Sequence, residues 1–161
     1  MSSSGAERPA AAATSGALEG ALVIAIGNPL RGDDGVGPAV GALLERDGLR
    51  VLTVQELGPE LAEEIAAARA VVFVDARAGG TPGEVTVERL QPAASGGASS
   101  HALTPEILLA VAERLHGAPP PSALVAVAGR DFELQERLSP DVALTLDRAC
   151  EASRGFLAGP S

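Results

Sequence analysis

The chain has 161 residues, enough for one domain with a substantial core, and carries 21 acidic against 12 basic side chains for a formal charge of -9. That charge repels phosphate backbones and anionic lipid, and three Phe with no Tyr or Trp leave little to stack on bases, so neither nucleic acid nor a membrane is expected as a partner. The single cysteine, Cys150, excludes a disulfide framework and a CxxC metal motif and points to the cytoplasm.

Residues 1-20 are rich in Ala, Ser and Gly and lack an apolar run of secretory length, so they read as a disordered N-terminal extension rather than a signal peptide. The longest strongly apolar runs elsewhere, 21-26 and 70-74, are far shorter than the roughly 20 residues a bilayer span requires. One domain is expected over 21-157, followed by a flexible C-terminus at 158-161.

The run from Ala21 to Ile26 is continuously apolar and is closed by Gly27-Asn28-Pro29, the mark of a strand buried on both faces in a parallel sheet. After the loop, Val36, Val40, Leu43 and Leu44 recur at the spacing of one helical face, and Gly48 ends that helix. Val51 to Val54 is a second strand. Pro59 opens a helix with Leu61, Ile65 and Ala68 on one side, and Ala70 to Ala76 is the third strand. Right-handed crossovers would bring the C-termini of these strands to one edge, where open α/β folds bind their ligands.

Glu84 to Leu90 alternates with period two and reads as an antiparallel strand at or near a sheet edge. The loose stretch from Gln91 to Ser100, at about 3.3 Å per residue, is long enough to return the chain and bring His101 beside Asp75. Thr104 then caps a helix from about Pro105 to Leu115 with Leu108, Val111, Ala112 and Leu115 facing the core. Ser122 to Ala128 forms the fifth strand. Ser139-Pro140 opens a final helix with Val142, Leu146, Ala149 and Cys150 inward. The expected architecture is α/β: a single three-layer domain with a twisted, mostly parallel five-stranded sheet between helices.

The polar residues predicted to converge on the ligand edge are Asp33 and Asp34 after strand one, Asp75 at the end of strand three, and His101 before a helix. Two carboxylates and an imidazole suit a divalent transition ion with open positions for water or substrate. A plainer reading has Asp33 or Asp34 capping the next helix, and adjacency lets one cap while the other binds. A lone histidine in a Ser/Gly-rich loop, such as His101, is usually just exposed. His116 at a helix C-terminus suits the dipole, and Cys150 reads as inert core. The glycine-rich loop matches neither GxGxxG nor a phosphate loop, and its acids would repel phosphate.

The segment Ile26-Gly27-Asn28-Pro29-Leu30-Arg31-Gly32-Asp33-Asp34-Gly35-Val36-Gly37 closely resembles the N-terminal signature of the hydrogenase maturation proteases, a family of nickel-dependent processing endopeptidases. The resemblance runs from about Leu22 to about Leu157, through Val74-Asp75-Ala76, Pro82-Gly83-Glu84, Ser100-His101 and a strand ending in Gly129. It implies a single α/β domain with a five-stranded sheet, and metal-contacting and catalytic roles for Asp34, Asp75 and His101. The position of Asp34 holds Glu in some relatives. The implied activity is removal of the C-terminal tail of a nickel-loaded hydrogenase large-subunit precursor. Nickel is then engaged in the precursor, with weak binding to the isolated, monomeric protease. Other classes compatible with these residues are a non-catalytic nickel-sensing assembly factor and a metal-dependent small-molecule hydrolase. The segment from Gly129 to Ser139 departs from the family pattern in being more charged.

Overall fold

The computed structural model describes residues 16–94 and 102–159. The first strand, β1 (Ala21–Ile26), is buried along its whole length. Its side chains alternate between two cores: Val23 packs on one face of the sheet, while Leu22, Ile24 and Ile26 pack on the other. A 3-10 turn at Gly32–Gly35 leads into α1 (Val36–Arg46), whose Val36, Val40 and Leu44 are fully buried. β2 (Arg50–Val54) and β3 (Ala70–Arg77) both run parallel to β1, and α2 (Leu61–Ala67) connects them.

β4 (Val85–Leu90) is antiparallel to β5 (Ser122–Ala128), which is itself parallel to β3. The sheet order is β2-β1-β3-β5-β4, so the alternating strand occupies an edge as its period-two pattern predicts. Between them lies α3 (Pro105–His116), started by Thr104, whose hydroxyl accepts from the Ile107 N–H at 3.1 Å. The chain ends in α4 (Pro140–Ala143) and α5 (Leu146–Ala158). Val142, Ala149 and Leu157 join α1 over one face, and Leu61, Ile65, Leu108 and Leu109 cover the other. This is the expected three-layer α/β domain, with four of its five strands parallel.

Two helical expectations are corrected. The buried stripe of α3 is Leu108, Leu109 and Ala112; it stops a turn short of Leu115, which is 67% exposed because the second core has no member over the last turn. The single final helix is two helices. Leu144, between them, is 82% exposed, and the buried Thr145 turns its hydroxyl back to the Val142 carbonyl at 2.8 Å, closing the short helix before α5 begins.

Ordered contacts begin before β1. Leu18 packs against the first core, and the Arg69 guanidinium donates to the Glu19 carbonyl at 2.8 Å. The rest of the proposed N-terminal extension, the end of the chain, residues 95–100 of the connecting loop and His101 lie outside the described residues. Among the described residues no helix is long and apolar enough to cross a membrane.

Candidate functional site

Close backbone packing builds the C-terminal edge of the sheet. A Cβ on Gly37, in the first turn of α1, would stand 2.2 Å from the Ile26 carbonyl oxygen and 2.8 Å from that of Val74. Only glycine lets the helix start lie directly on the ends of β1 and β3. Gly27 has φ +148, and its missing Cβ would fall 1.9 Å from the Asp34 carbonyl oxygen. The turn carrying Asp34 is thereby pressed against the exit of β1 and brought toward β3.

Asp34 is half-buried, and its Oδ2 accepts from the Asn28 N–H at 2.7 Å. Asp75, near the end of β3, accepts at Oδ1 from the Ala76 N–H at 2.8 Å. Burial raises the Asp75 pKa to about 6; the Ala76 N–H works against this, and the negative charge of Asp34 adds to it. The charge of Asp34 thus reaches Asp75, as the smallest of the three influences on it. None of the ion pairs among the described residues involves either one.

A cleft of about 540 Å³ opens beside Asp75, lined by Ile26, the segment Gln55 to Leu57 that follows β2, and residues 102–105 ahead of α3. The segment with Glu56 was missed by sequence reasoning. Its signal was topological: a parallel β2 delivers the residues after Val54 to the same edge as Asp75. His101 lies outside the described residues, although its neighbour Ala102 lines this cleft. Among the described residues no group of three His, Cys, Asp or Glu side chains could hold a metal ion.

Asp33 does something the sequence did not reveal. Fully buried, it accepts from the N–H groups of Arg130 at 2.7 Å, Asp131 at 3.0 Å and Ser139 at 2.7 Å, and from the Ser139 hydroxyl at 2.8 Å. Burial alone pushes its pKa up, but these four donors outweigh it and hold the carboxyl below its ordinary value. The backbone adds further ties: Asp33 N–H to the Asp131 carbonyl, Gly32 N–H to that of Gln135, and Gln135 N–H to that of Leu30. Neither Asp33 nor Asp34 caps α1, whose N-cap is Gly35 without a side-chain bond.

The two residues read as structural are where that reading puts them. His116 is the exposed last residue of α3. Cys150 is buried, and burial pushes its thiol pKa up against the lowering influence of Arg154, four residues on.

No protein-family model and no curated protein matches the chain. Solved structures do. The hydrogenase maturating endopeptidase HybD from E. coli is 22% identical with a TM-score of 0.66, over 82% of this chain and 88% of that one. The nickel-iron hydrogenase maturation protease HycI from Thermococcus kodakarensis is 26% identical with a TM-score of 0.67, over 85% of this chain and 91% of that one. A hydrogenase 2 maturation peptidase from a Thaumarchaeota archaeon is 25% identical with a TM-score of 0.63, over 85% and 97%. The chain thus has the fold of the hydrogenase maturation proteases, the family that its glycine-rich loop resembles.

Proposed function

We propose that the chain is a hydrolase, an endopeptidase that removes the C-terminal tail of a nickel-loaded hydrogenase large-subunit precursor. The observation that carries this reading is the placement of two acids at the open edge of the sheet: Asp34 on the turn that Gly27 packs against the exit of β1, and Asp75 near the end of the neighbouring β3, where it lines a cleft. Its fold is shared with structures named as maturation peptidases.

Nickel enters this scheme as part of the substrate, already seated in the precursor. Carboxylate oxygens of Asp34 and Asp75, with the imidazole of His101 as a third donor, suit a divalent cation presented with vacant positions. A cation placed between the acids relieves their repulsion, so docking of a loaded precursor is favoured over docking of an empty one. The chain is proposed to act as a monomer in the cytoplasm, with the precursor as its partner.

The test is incubation of nickel-loaded and nickel-free precursor with the purified chain, followed by intact-mass measurement. Shortening of the loaded precursor alone is expected. A loaded precursor that keeps its full mass removes the endopeptidase reading, and equal trimming of both removes the nickel requirement.

A further inference from the structure

We propose that Asp33 is a positioning residue that holds Asp34 in its working place by tying the turn both share to the distant segment Arg130 to Ser139. The inference rests on the reading of Asp34 as an acid of the reaction.

In a 3-10 turn, with about three residues per turn, consecutive side chains point roughly a third of a revolution apart. Asp33 and Asp34 accordingly face different partners: Asp33 points inward to the donors of Arg130, Asp131 and Ser139, whereas Asp34 reaches the Asn28 N–H and acts on Asp75. Among the described residues the turn has no side-chain cap and no regular partner strand, and its bridge is the isolated one between Arg31 and Gln135. On the side facing β1 the turn is held by its contact with Gly27 and the Asn28–Asp34 bond; on the other side it is held by the Asp33 carboxylate and the backbone bonds around it. The fit is tight, since a Cβ on Gly32 would stand 2.4 Å from the Asp131 carbonyl oxygen and one on Gly129 would stand 2.9 Å from the Asp33 Cβ. The two segments therefore lie in close contact, with room for glycine alone at these two positions.

The closing experiment uses the full chain with Asp33→Asn and Ser139→Ala. The first puts an amide NH2 where an acceptor faced N–H donors; the second removes one of the four donors. On nickel-loaded precursor, Asp33→Asn is expected to lower kcat by about 10–100-fold, the scale of a small displacement of a reacting group. KM should stay nearly unchanged, and Ser139→Ala should show a smaller loss in the same direction. Hydrogen exchange of the Asn28 amide, which is bonded to Asp34 itself, should quicken in both variants relative to the Ile107 amide at the remote Thr104 cap.

Wild-type kcat in a folded Asp33→Asn protein, or unchanged Asn28 protection, overturns the inference. If Asp33→Asn does not fold, Ser139→Ala with unaltered kcat and Asn28 exchange does the same. Failure of the wild-type chain to trim the precursor is a failure of the proposed function, and the Asn28 exchange still decides whether Asp33 holds Asp34.

Discussion

Ser139 donates twice to Asp33, from its backbone N–H at 2.7 Å and its hydroxyl at 2.8 Å, and so joins the residue before α4 to a turn 106 positions earlier. A buried carboxylate with four donors is a demanding group to replace. Removing its charge leaves N–H groups without an acceptor, at about 1–3 kcal/mol for each one stranded. Asp33→Asn is therefore expected to lower the melting temperature, and Asp33→Ala to lower it further, as calorimetry would register.

The same carboxylate sets an acid limit. Its folded-state pKa lies below the ordinary value of 3.8, so its contribution to stability is full above that value and is lost as the pH falls through the lowered one. Denaturant unfolding between pH 5 and pH 2 should show the wild type losing stability that Asp33→Asn never had. Parallel curves for the two proteins would contradict this.

Asp75 has the opposite sign. Its pKa is raised from 3.8 to about 6, so the folded state holds a proton longer than the unfolded chain and loses stability as the pH rises through that window. The shift corresponds to roughly 3 kcal/mol as an upper limit for a partly exposed group. With a chelator present, Asp75→Asn should melt higher than wild type at pH 8, and the advantage should vanish below about pH 4. A lower melting point at pH 8 would show that the acid is structural.

For processing, Asp34→Asn, Asp75→Asn and His101→Ala are each expected to abolish or strongly slow precursor trimming while the circular dichroism spectrum stays intact. Asp34→Glu should keep partial activity. His116→Ala and Cys150→Ala should trim close to wild type, one being exposed at a helix end and the other packed in the core. A fully active Asp75→Asn protein would overturn the shared site; a fully active His101→Ala protein would remove only the third donor.

Two glycines separate close packing from helix propensity. Gly37→Ala drives a methyl into the Ile26 and Val74 carbonyls and should cost about 1–3 kcal/mol or more, with loss of trimming. Gly155, in α5, has nothing within 4 Å of its missing Cβ, so Gly155→Ala should stabilise by about 0.5–1 kcal/mol and leave trimming unchanged. Thermal melts of the two variants check both signs.

The strands were legible in the sequence because the signals that make them are local. The run Ala21 to Ile26 declares double burial by its composition, Ser122 to Ala128 declares a strand, Thr104 declares a cap, and the alternation from Glu84 to Leu90 declares an edge. Parallel crossovers then brought Asp34 and Asp75 to one edge without further information. Tertiary structure alone decided what neighbouring aspartates do. Asp33 meets partners 97 to 106 residues away, and Asp75 is raised by burial and by the Asp34 charge, neither of which adjacency in the chain records. The exposure of Leu115 and the break at Leu144 belong with these, because helical periodicity says which face is apolar but not where the core beneath that face ends.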